Sequence, residues 1–262
     1  MTVDIYNFII LTFWRKNMDV AAVILAAGKG VRMKSEKPKV FHEICGKPML
    51  SYVLDTVFDL GLKEIFVVLG HKSEIIRQFY DRLPITFVEQ REQLGTAHAV
   101  MQVEAELKSY KGTILVLNGD MPLLKGDTLR RFIGEHTSSK AKATVLTAEM
   151  DDPGNFGRVV RGAEGEIIRI VEKKDANDME LNIKEINTGT YCFEPDVLFS
   201  ALKEIKPINV QKEYYLTDCI ALFRNKGYKV SSVKLHNSLE AIGVNTKEEL
   251  ELVQRILLQQ TT

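Results

Sequence analysis

Two short segments of the sequence carry residues suited to phosphate and metal chemistry. The first runs from Leu25 to Met33 and is rich in small residues, with Arg32 inside it and Lys39 a few residues further on. Small residues let the backbone approach a phosphate chain, and the two cations can neutralise its charge. The glycine spacing matches neither a G-x-G-x-x-G motif nor a P-loop. For the glycines alone, an ordinary strand-to-helix turn therefore stays open.

The second segment contains Asn118, Gly119 and Asp120, followed by Met121 and Pro122. A carboxylate at the end of a strand suits Mg²⁺, which keeps most of its waters and bridges to phosphate oxygens. A turn-forming aspartate is the alternative for an isolated Gly-Asp pair. The two segments together favour phosphate chemistry, because loops that follow parallel strands converge at one edge of a sheet.

Composition excludes several classes of protein. The chain has 262 residues and is 45% hydrophobic, which is enough for the core of one large domain. Its 35 basic and 35 acidic residues balance, so no net field draws it to nucleic acid or an anionic membrane. The widely spaced Cys45, Cys192 and Cys219 indicate neither a zinc site nor a disulfide framework and fit a reducing cytoplasm.

Residues 1–17 are interpreted as an extension ahead of a domain spanning 18–262. The apolar run from Ile5 to Trp14 is too short to cross a bilayer, which takes roughly twenty residues. It also lacks the charge order and cleavage site of a signal peptide. A peripheral anchor, a segment packed on the domain or a partner, and a non-native extension are the alternatives. We favour the last, because a buried-strand pattern begins just after Met18.

Alternating strands and helices must position the chemical residues. The apolar run from Val20 to Ala26 predicts a central parallel strand buried on both faces. The elements predicted next are a helix between Pro48 and Gly61, a strand at Ile65 to Leu69, a helix at Ser73 to Tyr80, a strand at Ile85 to Val88, a helix at Ala97 to Leu107 and a strand at Thr113 to Leu117. This order predicts an α/β protein with a doubly wound, mostly parallel sheet.

The second half of the chain is richer in strands. Segments at Ala143 to Glu149, Gly157 to Arg161 and Ile167 to Val171 predict a small antiparallel excursion beside the main sheet. After it come a strand at Glu185 to Phe193, a helix at Tyr214 to Asn225, a strand at Lys229 to Lys234 and a helix at Lys247 to Leu258. Since no linker separates the excursion, we interpret it as a substrate-binding part of one domain.

Several motifs occur in a characteristic order along the chain. They are Leu25–Met33 with Pro38 and Lys39, Gln93–His98, Asn118–Asp120, Asp152–Pro153, Val171–Lys173, Glu185–Gly189, Glu213–Asp218 and Gly243–Asn245. In this order they closely resemble the N-acetylglucosamine-1-phosphate uridylyltransferase family. The resemblance implies a Rossmann-like fold of the nucleotide-diphospho-sugar transferase type. It also implies synthesis of UDP-N-acetylglucosamine from UTP and N-acetylglucosamine 1-phosphate, with Mg²⁺ as cofactor.

The same resemblance implies a role for each matching position. The nucleotide and its phosphates would be held by Leu25, Ala26, Ala27, Gly28 and Lys39, and the departing pyrophosphate by Arg32. Uracil would be recognised by Gln90, Gly95 and Thr96, with Asn118 and Gly119 at the ribose and sugar side. The sugar would contact Gly157, Glu172 and Asn187, and Mg²⁺ would bind Asp120 and Asn245. Arg32, Lys39 and Asp120 would be catalytic.

Residue chemistry agrees with these roles, with two departures from the family. An amide such as Gln90 offers both a donor and an acceptor to an imide edge. We interpret His98 as a packing or capping residue, and Tyr214 and Tyr215 as core or pocket-wall aromatics. Val31 stands where many relatives carry threonine, which removes one hydroxyl contact. The sequence ends before the left-handed β-helix of two-domain members, so acetyltransferase activity is expected to be missing.

Three other functions stay open from the sequence. One is the same chemistry with another sugar 1-phosphate or with dTTP, and a second is a cytidylyltransferase for an alcohol phosphate, which the later motifs do not support. A non-catalytic nucleotide-sugar-binding regulatory subunit would be expected to lose some of Arg32, Lys39, Asp120 and Asn245, and all four are present. We expect a cytoplasmic protein with no nucleic-acid partner and no membrane span, and the sequence leaves a homo-oligomer open.

Overall fold

The computed structural model describes residues 19–70 and 73–260. The extension proposed for residues 1–17 lies outside the described residues and stays a prediction. The strands are β1 (Val20–Ala26), β2 (Glu43–Ile44), β3 (Lys47–Pro48), β4 (Glu64–Leu69), β5 (Thr86–Glu89), β6 (Thr113–Asn118), β7 (Ala143–Glu149), β8 (Arg158–Arg161), β9 (Ile167–Val171), β10 (Glu185–Phe193) and β11 (Val230–Lys234).

The helices alternate with these strands through most of the chain. They are α1 (Met49–Asp59), α2 (Ser73–Phe79), α3 (Thr96–Met101), α4 (Glu104–Leu107), α5 (Gly126–Ser139), α6 (Asp178–Leu181), α7 (Pro195–Leu202), α8 (Asp218–Asn225) and α9 (Lys247–Gln260). Short 3-10 turns occupy Val31–Met33, Lys39–Phe41 and Ser238–Ala241. Within the described ranges, no helix is long and apolar enough to cross a membrane.

The main sheet has the order β11-β7-β10-β6-β1-β4-β5. Strand β1 lies between β4 and β6 and runs parallel to both, so that Leu25 is level with Asn118 of β6. Strand β5 continues the parallel set, while β10 runs antiparallel to β6 and β7. The predicted mostly parallel α/β sheet is confirmed. Its parallel geometry places the loops after β1 and β6 at one edge.

The central strand is buried from both sides. Alternate residues of a strand point to opposite faces of the sheet. Ala22 and Ile24 accordingly pack in a cluster with residues of α1 and α5. Ala21 and Val23 pack in a second cluster with residues of α3, α7 and α8. A strand covered on both faces needs an uninterrupted apolar run, as the sequence of β1 has.

One part of the predicted topology is wrong. Residues Ala143–Glu149 form β7, which lies inside the main sheet between β10 and β11 and runs parallel to β11. Only β8 and β9 form the antiparallel excursion, as a hairpin joined to β10 where Arg158 pairs with Ile186. Periodicity identified the strands, but their pairing depends on contacts between distant segments.

Several helices also differ from the sequence prediction. The helix predicted at Ala97 to Leu107 is split into α3 and α4, because the backbone tightens to three-residue hydrogen bonds at Gln102 and Val103. Helix α8 begins at Asp218 rather than Tyr214, whose backbone hydrogen-bonds to the loop before α3. Helices α5 and α7 were not predicted, and they cover opposite faces of the sheet.

Core packing against β1 predicts a contrast between two leucines. Leu54 on α1 is 1% exposed inside the first cluster, whereas Leu258 on α9 is 54% exposed. Leu54→Ala should lower the free energy of unfolding by about 2–5 kcal/mol, since it leaves a cavity. Leu258→Ala should change it by less than about 0.5 kcal/mol. Urea unfolding midpoints measure both variants, and equal losses would contradict this packing.

Candidate active site

Two adjoining cavities lie at the carboxyl-terminal edge of the sheet. The larger cavity, of about 670 Å³, is lined by residues that include Arg32, Gly157, Glu172, Asn187 and Asn245. The smaller cavity, of about 460 Å³, is lined by residues that include Ala26, Ala27, Gly28, Lys39, Gln90 and Gly95. Leu25, Thr96, Asn118 and Asp120 line both cavities. The structure therefore brings the sequence-predicted residues together, with Asp120 at the junction.

Gly119 is the predicted site residue that lines neither cavity. It is buried, and its N–H donates to the carbonyl oxygen of Leu25 at 2.9 Å. This bond ties the end of β6 to the end of β1 and holds the loop that carries Asp120. Arg32, predicted to contact the departing pyrophosphate, is exposed and lines the larger cavity together with Asp120.

A lysine ammonium group joins the two predicted metal ligands. Lys39 Nζ donates to Asp120 Oδ2, and it donates to Asn245 Oδ1 at 2.6 Å. The Lys39 and Asp120 side chains are only 14% and 17% exposed, which shields their ion pair from water. The carboxylate and the amide oxygen thus converge on one position that holds a positive charge.

The orientation of Asn245 is fixed by its neighbours. Its Nδ2 donates to the carbonyl oxygen of Gly243 at 3.1 Å, and because a carbonyl only accepts, Oδ1 must face Lys39. Glu249 Oε2 accepts from the N–H groups of Asn245 and Thr246 at 2.5 and 3.0 Å. Thr246 Oγ1 in turn accepts from the Glu249 N–H, which completes a capping box at the start of α9.

Asp120 and Asn245 fit a hard divalent cation such as Mg²⁺. Their oxygens are of the type that such ions prefer, and they already share a cation in the form of the Lys39 ammonium. In the part of the chain that the structure describes, no group of three His, Cys, Asp or Glu side chains could hold a metal ion. A metal bound here would therefore need ligands from water or from a phosphate group.

The loop after β1 packs closely on Lys39. Gly30 has a φ of 62°, and a Cβ at this position would lie 2.7 Å from Lys39 Cβ. Any side chain would therefore push the loop away from Lys39. The glycine lets the Leu25–Met33 segment fold over the base of the lysine side chain and narrows the smaller cavity.

A second backbone contact shapes the far end of the smaller cavity. Gly95 has a φ of 115°, and a Cβ here would lie 2.5 Å from the carbonyl oxygen of Tyr214. The Tyr214 N–H donates to the Leu94 carbonyl at 2.7 Å, and the Tyr214 carbonyl accepts from the Ala97 N–H at 2.9 Å. Thr96 Oγ1 accepts from the Leu216 N–H at 3.0 Å. The loop before α3 and the segment before α8 thus form one unit, which we call the paired loops.

The larger cavity presents polar groups on its walls. Asn187 Oδ1 accepts from the Gly189 N–H at 3.1 Å, so its Nδ2 is the atom left to donate to a ligand. Glu172 accepts from Thr217 Oγ1 at 3.4 Å. Burial raises the pKa of the Glu172 carboxyl above its ordinary value, and the negative charges of Asp175, Asp218 and Glu213 raise it further. These groups suit hydroxyl and amide functions.

Two side-chain contacts at the cavities were not expected from the sequence. His98, interpreted as a packing or capping residue, has its Nδ1 3.0 Å from Gln90 Nε2. Thr217 was placed within a helix, but it precedes α8, lines the larger cavity and bonds to Glu172. Both residues lie inside motifs quoted from the sequence, which was the only available signal. Tyr215 is buried, as expected for a core aromatic.

The raised pKa of Glu172 makes a prediction about stability. A carboxyl whose pKa is higher in the folded state stabilises the fold below its unfolded pKa of about 4.3 and loses that contribution as pH rises through the folded pKa. Glu172→Gln should therefore raise the melting temperature at pH 7.5 relative to the wild type, and the gain should vanish towards pH 4. Glu164→Gln, at an exposed turn position, is the control and should change little. A lower melting temperature for Glu172→Gln at pH 7.5 would contradict this electrostatic account.

Comparisons with known proteins identify the family of this chain. The family model described as nucleotidyl transferase matches residues 21–250. "Bifunctional protein GlmU" of Pelotomaculum thermopropionicum is 49% identical over 240 residues, covering 92% of this chain and 52% of that protein. The protein of the same name from Streptococcus agalactiae is 47% identical over 236 residues, covering 90% and 51%. The chain spans about half the length of the curated relatives it matches.

Solved structures share the architecture. A UDP-glucose pyrophosphorylase complexed with UDP-glucose aligns with a TM-score of 0.74 at 18% identity, covering 93% of this chain and 99% of that one. A Bacillus anthracis protein, described as a candidate glucose-1-phosphate thymidylyltransferase in complex with sucrose, aligns at 0.72 and 22% identity, covering 90% and 94%. These likenesses confirm the predicted nucleotide-diphospho-sugar transferase type of fold. With the family model matching residues 21–250, this chain belongs to the nucleotidyl transferase family.

Proposed function

We propose that the chain transfers the uridylyl group of UTP to N-acetylglucosamine 1-phosphate and releases pyrophosphate. The observation that carries this proposal is the place of Asp120, which lines both cavities where they meet. A nucleotide in the smaller cavity and a sugar phosphate in the larger one would bring their phosphates together beside this residue. The order of motifs along the chain supports uracil and N-acetylglucosamine as the bound groups.

The reaction needs alignment and charge neutralisation more than a base. An oxygen of the sugar phosphate is already a nucleophile, and it forms a bond to the α-phosphorus as the bond to pyrophosphate breaks. Lys39 in the smaller cavity and Arg32 in the larger one supply positive charge for the phosphoryl and leaving oxygens. Asn118 lines both cavities and is suited to hold the ribose and sugar on either side.

Members of this family generally use a divalent metal ion. We propose Mg²⁺ here, with Asp120 and Asn245 as its ligands, because their oxygens converge on one cation. When bound, Mg²⁺ would neutralise charge on phosphate oxygens of both substrates. The proposal includes a cytoplasmic location, which suits the free thiols of Cys45, Cys192 and Cys219.

Charge at position 120 is predicted to be essential. Asp120→Asn keeps the volume of the side chain but removes its negative charge, so turnover per folded molecule should fall by about 10²–10³-fold. Lys39→Ala should lower the rate by a similar factor, since it removes a cation from the phosphates. Pyrophosphate release from UTP and N-acetylglucosamine 1-phosphate measures both. The control is Asp127→Asn, whose side chain is 95% exposed, and near-normal turnover of Asp120→Asn would remove this residue from the site.

The sugar assignment makes a separate prediction. Asn187→Ala removes a donor from the larger cavity and should weaken use of N-acetylglucosamine 1-phosphate by about 1–3 kcal/mol, with UTP binding nearly unchanged. Glucose 1-phosphate lacks the acetamido group, so the wild type should use it poorly, and the variant should discriminate less between the two sugars. Initial rates over a concentration series of each sugar give the ratio, with Asn182→Ala on the surface as the control.

Other experimental outcomes would change the proposed substrates or the proposed activity. A wild-type preference for glucose 1-phosphate or dTTP would overturn the substrate assignment and leave the family assignment in place. Binding of UDP-N-acetylglucosamine without any turnover would favour the non-catalytic regulatory alternative.

A further inference from the structure

Gln90 has a side-chain orientation that can be assigned from its partners. It follows β5, is 3% exposed and lines the smaller cavity. One end of its amide lies 3.1 Å from the carbonyl oxygen of Gly95. A carbonyl oxygen only accepts hydrogen bonds, so the amide atom facing it must be the nitrogen Nε2. The contact with Gly95 thereby distinguishes the two ends of the amide.

The same nitrogen lies 3.0 Å from His98 Nδ1. An amide nitrogen donates but does not accept, so this contact is a hydrogen bond only when Nδ1 is unprotonated and accepts. The other ring nitrogen is 3.3 Å from Gln102 Nε2, which already donates to the His98 carbonyl oxygen at 2.8 Å. The ring therefore has an amide nitrogen on each side. The shorter contact, to Gln90, requires Nδ1 to accept, so the neutral ring carries its proton on Nε2.

These two bonds use both N–H groups of the Gln90 amide. Among the described residues, no donor bonds to Gln90 Oε1, so this oxygen is left to accept from a ligand in the smaller cavity. Uracil carries an N–H between its two ring carbonyls, which can donate to such an oxygen. Cytosine has a lone pair at the same ring position and would meet the oxygen acceptor to acceptor. A buried acceptor facing an acceptor is costly, so the fixed amide discriminates between the bases.

We propose that His98 is a positioning residue that sets base choice through Gln90. By accepting one N–H of the amide, it holds the amide oxygen towards the base and favours uracil over cytosine. This inference rests on the proposed uridylyl transfer and adds a residue that does not itself contact the nucleotide. Gly95 supplies the second restraint, so loss of His98 should relax selectivity rather than abolish it.

The test compares two substitutions of His98 by the ratio of kcat/KM for UTP to kcat/KM for CTP. His98→Leu removes the acceptor, and the ratio should fall by about tenfold, mainly through a higher KM for UTP. His98→Asn can place its amide oxygen near the position of Nδ1, so it should restore most of the ratio. Both nucleotides are measured on one preparation, so a partly unfolded sample cancels from the ratio. Gln102→Ala, which removes a ring neighbour that does not contact Gln90, should leave the ratio near the wild-type value.

Several results would overturn the inference. A wild-type ratio for His98→Leu would show that Gln90 is held without His98. Equal losses in His98→Leu and His98→Asn would show a packing role alone. The wild type tests the proposed function separately, because a preference for CTP, or no turnover, would reject uridylyl transfer before any variant is compared. If turnover is absent, calorimetric dissociation constants for UTP and CTP give the corresponding ratio of affinities, and its change in His98→Leu decides the role of His98.

Discussion

The ion pair between Lys39 and Asp120, shared with Asn245, is the contact on which the geometry of the site depends. It joins segments that are 81 and 206 residues apart in the chain. Three local structures hold its members in place. They are the glycine turn that packs on Lys39, the strand end that carries Asp120 and the helix cap that holds Asn245. A charge pair shielded from water is stable only when both partners stay in place, so each of these segments constrains the others.

The two cavities hold charged groups although the chain as a whole has no net charge. The basic and acidic residues balance over the whole chain. At the edge of the sheet, however, Lys39 lines the smaller cavity, Arg32 lines the larger one, and Asp120 lines both. The electrostatic field at the proposed substrate site is therefore a property of the cavities and not of the surface as a whole.

The sequence predicts elements that have a continuous run of buried apolar residues. It does not predict strand neighbours or helix ends that depend on contacts with distant segments of the chain. Strand β1 was predicted because burial on both faces requires a continuous apolar run. Strand β7 was assigned to the excursion, since an apolar run does not reveal which strands lie beside it. The start of α8 was misplaced because Tyr214 bonds through its backbone to a loop more than a hundred residues earlier, and no residue type signals such a bond.

The residues of the site divide in the same way, into those that residue type and position indicate and those that depend on distant contacts. Asp120 and Lys39 were found from residue type and position in two loops that follow strands, because such loops converge at one edge of a parallel sheet. Asn245 entered only through the family resemblance, since a single asparagine in a loop is common. His98 was interpreted as a packing or capping residue, and the role proposed for it rests on its contact with the Gln90 amide. Hydrogen-bond direction is a property of geometry that composition does not record.

The paired loops connect the two cavities through main-chain atoms. Because the bonds between Leu94, Tyr214 and Ala97 use only backbone groups, they place almost no demand on which side chains stand at Leu94 and Tyr214. Gly95 is different, since any side chain there would collide with the backbone opposite. A side-chain substitution at Leu94 or Tyr214 would therefore leave these backbone bonds possible, whereas a substitution at Gly95 would push the two loops apart and displace Thr96, which lines both cavities.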